Sequence, residues 1–284
     1  MTNILTWKIS KARLFAIRDL DIVLRGNNTT YLLIGAIARD LLDQLNNIKS
    51  VRLTKDLDFA VSISAWDDFE KLAASLLLSK NFRRSSNKRC RFIHIPTDVP
   101  IDIIPFGKID EPDFSISWPP DKDSGMSTLG FREAYDDSVE VVLSEEPFIK
   151  IRIPSRAGLA ILKFISWGEN PARRKDASDI MHLIQNYLDS NNEGRLYNQD
   201  SDLMDVDNFD YECAAAILLG RDIASIASPQ TLDVLVDILA NETSDDSNQR
   251  LISDMLISSL DREMESEVLM KLLKCLKEGM QSHN

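Results

Sequence analysis

Thr54-Lys55-Asp56-Leu57-Asp58-Phe59-Ala60-Val61 is the stretch whose reading decides the fold: two carboxylates one residue apart, running into strand-forming residues. On a β-strand, residues i and i+2 project to the same face, so Asp56 and Asp58 point together, about 7 Å apart along the chain. Carboxylates that close on a half-buried strand repel one another, and the arrangement requires a compensating charge. A divalent cation supplies one, because Mg²⁺ binds through one or two carboxylates plus substrate phosphates. The bland alternative is a turn that ends in a solvated acidic edge.

Upstream, Tyr31-Leu32-Leu33-Ile34 reads as a buried strand ended by Gly35, and Ala36 through Leu45 has helical spacing. A strand, a glycine and a helix start form a junction where backbone N–H groups can face a phosphate. A plain tight turn would need the glycine equally. Arg39, one helical turn on, either reaches the same ligand or faces solvent. Before this junction, Ile9, Leu14, Ile17, Leu20 and Leu24 predict an amphipathic helix over residues 8–25, stopped at Gly26-Asn27-Asn28.

Downstream, the strand Asp56–Ser62 leads to a predicted helix over Ala65–Leu78, with Ser64 as its N-cap. Residues 81–95 hold Arg83, Arg84, Lys88, Arg89 and Arg91, the densest positive cluster in the chain. It reads as a solvated hairpin tip or as a basic lip for triphosphate or RNA backbone. Val99–Pro105 is a strand carrying one acid, Asp102, on the face it shares with Ile104. A lone carboxylate among aliphatic residues is costly unless paired, protonated or bound to metal. Pro100 places a strand start or a sheet edge there.

Residues 110–128, rich in Asp, Pro and Ser, read as a loop. Val139–Leu143 and Phe148–Ile153 are expected to form a hairpin that extends the sheet. Ser155 caps a helix in which Leu159, Ile161, Leu162, Phe164 and Ile165 surround Lys163, whose ammonium must snorkel or meet an anion. After Pro171 a further helix runs from Asp176 to Leu188. The polar, acidic residues 189–210 read as a linker or long loop, and Tyr211–Leu219, Ser228–Asn241 and Gln249–Gln281 as helices. The expected organisation is an α/β (α+β) mixed-sheet domain over residues 1–154 and a helical C-terminal domain over 155–284, with 155–187 completing the active site.

The 284 residues are 44% apolar and 27% charged, an ordinary globular composition. A net charge of −12 argues against a protein that coats nucleic acid nonspecifically. Three cysteines, Cys90, Cys213 and Cys275, show neither metal spacing nor a disulfide framework, which points to a reducing cytoplasm. No apolar run is long enough to span a membrane, no secretory signal is expected at the N-terminus, and His94, His182 and His283 are too scattered to propose zinc.

Gly35 at a helix start, the Asp56/Asp58 pair and Asp102 on a later strand together suit two-metal phosphoryl chemistry. In that reading Asp56 and Asp58 are metal ligands. Asp102 is a further ligand or orients and deprotonates the attacking hydroxyl. Lys163 or Lys175 offsets charge growing on the triphosphate.

Leu33-Ile34-Gly35-Ala36, Thr54-Lys55-Asp56-Leu57-Asp58-Phe59 and Ile101-Asp102-Ile103-Ile104 resemble the nucleotidyltransferase superfamily with the polymerase-β-type palm. More narrowly, the chain is similar to the AbiEii-type nucleotidyltransferases, the toxins of type IV toxin–antitoxin pairs. Leu159-Ala160-Ile161-Leu162-Lys163 and Arg173-Arg174-Lys175-Asp176-Ala177-Ser178-Asp179 resemble that family's downstream lysine and basic-acidic helix motif. The resemblance spans residues 30–187. It implies a palm fold, Mg²⁺ (or Mn²⁺) dependence and transfer of a nucleoside monophosphate from an NTP with release of pyrophosphate. It also implies tRNA or other RNA as acceptor and a cognate antitoxin as partner, while the residues by themselves leave the acceptor open between RNA, a protein hydroxyl and a small molecule. Gly35, Ala36, Arg39, Lys55, Lys163, Lys175 and Asp176 are the expected nucleotide contacts.

The superfamily usually has Gly-Ser or Gly-Gly where this chain has Gly35-Ala36, so a phosphate there meets a backbone N–H but no hydroxyl. Lys175, Asp176 and Asp179 have a bland alternative as intrahelical charge pairs on a solvated face. The competing function is a catalytically silent nucleotide-binding or protein-interaction module on a retained palm.

Overall fold

A computed structural model describes residues 9–49, 54–120, 125–205, 207–258 and 265–282. The chain divides into two compact units, one running to Leu45 and from Lys49 to Ser155, the other comprising Asn46–Ile48 and Arg156 onward. The architecture is mixed α/β.

The first unit begins with helix α1 (Lys11–Gly26), whose N-terminus is capped by the Ser10 hydroxyl accepting from the Arg13 N–H at 3.3 Å. Ala16, Ile17, Leu20 and Leu24 form its buried face. Strand β1 (Tyr31–Ile34) runs directly into α2 (Gly35–Leu45), followed by β2 (Leu57–Ser62), α3 (Trp66–Leu78), β3 (Phe82–Arg84), β4 (Arg91–His94) and β5 (Val99–Phe106). The sheet order is β1-β2-β5-β4-β3, with β2 and β5 parallel and the other neighbours antiparallel. Leu33, Phe59, Phe92, Ile101 and Ile103 are buried to within 1% and supply the apolar packing of this sheet.

Several expectations need correction. The first residue of α3 is Trp66 and its cap position is Ala65, which makes no side-chain cap bond, so Ser64 is not the cap. Asp67 and Asp68 in the first turn favour the positive end of that helix instead. Pro100 does mark a strand start, but β5 is interior to the sheet and not an edge. The segment expected to be loop holds a short hairpin, β6 (Ser115–Ser117) and β7 (Gly125–Ser127). Helix α4 (Phe131–Asp136) precedes β8 (Val139–Glu145) and β9 (Phe148–Ile153). These two strands pair only with each other, with a bulge between Val142 and Ser144, and do not extend the larger sheet.

The second unit is helical: α5 (Arg156–Glu169), α6 (Arg174–Gln185), α7 (Tyr211–Ile226), α8 (Pro229–Glu242), α9 (Arg250–Ser258) and α10 (Ser266–Gln281). The single helix expected over Gln249–Gln281 is therefore α9 and α10, with residues 259–264 outside the described ones. Residues 189–210 contain two short 3-10 helices, Glu193–Tyr197 and Ser201–Met204, with Leu196 and Leu203 buried. Arg195 donates to Asp222 at 2.6 and 2.9 Å and to Asp200 at 3.0 Å, and Arg221 donates to Asp200 and Asp202. Acidic composition, read as a sign of a linker, is here the partner set for two arginines. No helix among the described residues is long and apolar enough to cross a membrane.

Helices α7 and α10 touch backbone to backbone. A Cβ on Gly220 would lie 2.8 Å from the Met280 nitrogen and 2.9 Å from the Gly279 Cα, and one on Gly279 would lie 2.9 Å from the Ile217 Cα. Alanine gains about 1 kcal/mol of helix propensity over glycine, but forcing two backbones apart costs about 1–3 kcal/mol. Gly220→Ala is expected to lower stability by about 1 kcal/mol or more in urea unfolding. Gly194→Ala, where a Cβ meets open space, is expected to be neutral.

Candidate active site

Pairing across four strands sets one row of residues side by side. Ile34 on β1 is in register with Asp58 on β2, Asp58 with Asp102 on β5, and Asp102 with Arg91 on β4. Residues in register on neighbouring strands share a face and lie about 5 Å apart. Asp56 is the second residue before Asp58, just ahead of the first residue of β2. The three acids nominated from sequence are therefore brought to one place by strand register.

Gly35 follows Ile34 at the end of this row. Its φ of +73° lies in the left-handed region, where a side chain is strained. A Cβ there would also overlap the Asp58 Oδ2 and lie 3.2 Å from its Cγ. The turn needs this glycine, and so does the carboxylate packed against it. Ala36 is buried behind it in the first turn of α2.

Arg91 binds two of the three acids. Its Nε donates to Asp102 Oδ1 at 2.7 Å, and its Nη2 donates to Asp102 Oδ2 at 3.0 Å and to Asp56 Oδ2 at 2.5 Å. Lys88 Nζ donates to the same Asp102 Oδ2. Asp102 is 2% exposed. Burial alone would raise its carboxyl pKa, but the bonds and charges of Arg91 and Lys88 outweigh burial and hold it below the ordinary carboxylate range. The reciprocal bond raises Arg91 further above its usual value. Next to this cluster, burial pushes the Cys90 thiol up to about 11, so it is a neutral side chain at physiological pH.

The rest of the basic cluster is also engaged within the fold. Arg84 clamps Glu70 at 2.9 and 3.0 Å, Arg89 donates to the Trp118 and Pro119 carbonyls, and Arg83 lies 3.4 Å from Asp98. The cluster read as a solvated hairpin tip or a basic lip thus has partners within the fold. Arg39 is 2% exposed and donates to Asp40 at 2.5 and 3.2 Å, so it does not face solvent. Lys55 is exposed beside Asp56.

These residues can be tested against a divalent ion. Asp56 and Asp58 are hard oxygen donors two residues apart on one face, a set that suits Mg²⁺ or Mn²⁺ shared with a phosphate. Asp102 fits less well, because both its oxygens accept from cations. No group of three or more His, Cys, Asp or Glu side chains among the described residues is arranged to hold a metal.

In the second unit, Lys163 on α5 is 6% exposed, and its ammonium lies 2.8 Å from Asp176 Oδ1 and 2.6 Å from Asp179 Oδ2, both on α6. The anion that Lys163 was expected to meet is thus a pair of buried carboxylates. Asp176 and Asp179 are not on a solvated face. Burial would raise the Asp176 carboxyl, yet the charge of Lys163 and the bond from Arg173 bring it below its ordinary value. Lys175 is exposed. Sequence spacing marked these residues for charge pairing but did not show that the pairing joins two helices.

Residues 47–201, more than half of the chain, match the family described as "Nucleotidyl transferase AbiEii toxin, Type IV TA system". The matched span includes Asp56, Asp58, Asp102, Lys163, Asp176 and Asp179 but begins after Gly35. Among solved structures, the Thermotoga maritima CCA-adding enzyme complexed with tRNA_CCA is similar at 14% identity, covering 97% of this chain and 82% of that one, with a TM-score of 0.26. No curated protein matches.

Two outcomes follow from these geometries. Gly35→Ala is expected to cost about 1–2 kcal/mol or more, from left-handed strain plus the clash with Asp58, measured by urea unfolding. Lys163→Met takes the cation from between two buried carboxylates, leaving Asp176 with Arg173, and is expected to cost about 3–5 kcal/mol at pH 7. Because the Asp176 pKa is depressed on folding, its contribution is present above about pH 4 and is lost as pH falls through the lower folded value. The gap between wild type and Lys163→Met should therefore narrow on acidification below about pH 4.

Proposed function

The chain belongs to the AbiEii nucleotidyl transferase toxin family, and from that premise we propose that it is a divalent-metal-dependent enzyme that moves a nucleoside monophosphate from an NTP to an acceptor hydroxyl. The acceptor oxygen forms a bond to the α-phosphorus as the bond from that phosphorus to the bridging oxygen breaks, pyrophosphate leaves, and the hydroxyl proton passes to solvent. The observation that carries this reading is the row of Asp58 and Asp102 in register on parallel strands, with Asp56 two residues before and the Gly35 helix start beside it.

Each group has a role set by its surroundings. Asp56 and Asp58 hold the ion, which when bound supplies positive charge against the triphosphate. The first turn of α2, beginning at Gly35 and Ala36, presents backbone N–H groups to phosphate. Asp102, kept ionised by Arg91 and Lys88, is a weak base, because a depressed pKa lowers its affinity for a proton. We therefore assign it to orienting the acceptor hydroxyl through Oδ1, which accepts one bond where a carboxylate oxygen can accept two. Lys55, exposed beside Asp56, is the candidate lysine for phosphate, whereas Lys163 fixes Asp176 and Asp179.

The acceptor we propose is tRNA, with a cognate antitoxin protein as the partner that restrains the enzyme. With α-labelled triphosphates of all four bases, Mg²⁺ and total tRNA, label should appear on RNA and disappear in the variant carrying both Asp56→Ala and Asp58→Ala. Label on the protein itself would move the acceptor to a protein hydroxyl. Nucleotide binding with no transfer in any lane would replace this reading with the silent module.

A further inference from the structure

Resting on Asp56 and Asp58 as the ion-holding pair, we propose that Arg91 is the built-in second cation of this site. It keeps Asp102 out of the ligand set, so the protein takes one divalent ion where the acid pattern by itself suggests two. Asp102 has no oxygen that is not already accepting: Oδ1 takes the Arg91 Nε, and Oδ2 takes both the Arg91 Nη2 and the Lys88 Nζ. The same guanidinium reaches Asp56 and ties the two carboxylates to one another.

Electrostatics leads to the same place. A dication seated on Asp102 would stand against the Arg91 guanidinium at contact distance. Like charges that close repel strongly in a partly desolvated site. An arginine does not relieve this by losing its proton, as a lysine or histidine can.

Arg91 is also poorly placed to swing aside. It is in register with Asp102 within the sheet, and the next residue, Phe92, is 1% exposed. The Ile103 N–H donates to the Cys90 carbonyl at 2.8 Å, which holds the backbone just before Arg91. The side chain is about one-quarter exposed, while Lys88 is half exposed. Lys88 is therefore the cation that can leave Asp102 when substrate arrives, and Arg91 is the one that stays.

The test is the stoichiometry and affinity of Mn²⁺, followed as loss of the free-ion EPR signal on titration into the full chain. Wild type is expected to bind one Mn²⁺ per chain. Asp58→Asn should weaken it at least tenfold, and Asp102→Asn should leave it within threefold. Arg91→Met should admit a second Mn²⁺, which adding Asp102→Asn removes. Arg91→Lys retains the charge and should stay at one ion, which keeps the proposal testable should Arg91→Met fail to fold. Two Mn²⁺ in wild type, a second ion in Arg91→Lys, or equal losses in Asp58→Asn and Asp102→Asn would overturn the proposal and leave the metal-dependent reading standing. Absence of any bound Mn²⁺ in wild type would overturn both.

Discussion

Two carboxylates in one row of a sheet, with a third two residues before, can coexist only if something positive stands among them, and in this protein that role falls first to Arg91. Its guanidinium is planar and presents its donors as a fork, so one group satisfies both oxygens of Asp102 and one of Asp56. Coulomb repulsion among the acids would otherwise go unopposed. The register β2-β5-β4 makes the bridge possible, because Asp58, Asp102 and Arg91 follow one another across adjacent strands. Shifting any of these strands by one residue would turn its side chains to the other face and dissolve the site. Fold and site are in this sense a single arrangement.

The row also explains why the chain turns as it does after β1. Strand becomes helix with no connecting loop, and the left-handed Gly35 that permits it is the residue against which the Asp58 carboxylate packs. A larger residue would displace the acid as well as strain the turn. The helix start and the acid are positioned by the same atom-scale constraint, which is why a lone glycine at this junction carried more information than its sequence context suggested.

Much of this was legible in the sequence, for reasons that can be named. Asp56, Asp58 and Asp102 stood out because a carboxylate in a strand-like apolar run needs a partner, and Lys163 stood out for the converse reason among apolar helix residues. What sequence could not supply was the partner's identity. Arg91 lay in a run of five cations, and only the folded chain shows that it is in register with Asp102 while Arg84 pairs with Glu70 on α3. The alternative reading of Asp176 and Asp179 as solvated helix charges stayed open because their spacing is compatible with it, and burial against Lys163 is a tertiary fact. Likewise the acidic residues 189–210 read as linker until Arg195 and Arg221 are seen to gather them. In each case local pattern announced that a charge needed an answer, and the answer came from a distant part of the chain.

The claim that the Arg91–Asp102 bridge underlies this site is tested most directly by a double-mutant cycle on stability at pH 7, using Arg91→Met, Asp102→Asn and the pair of substitutions together. The two side chains are in contact and largely removed from water, so the cycle should return a favourable coupling of about 2–3 kcal/mol. A coupling within about 0.5 kcal/mol of zero would mean the two groups act independently, and the account of the site built on that bridge would be wrong.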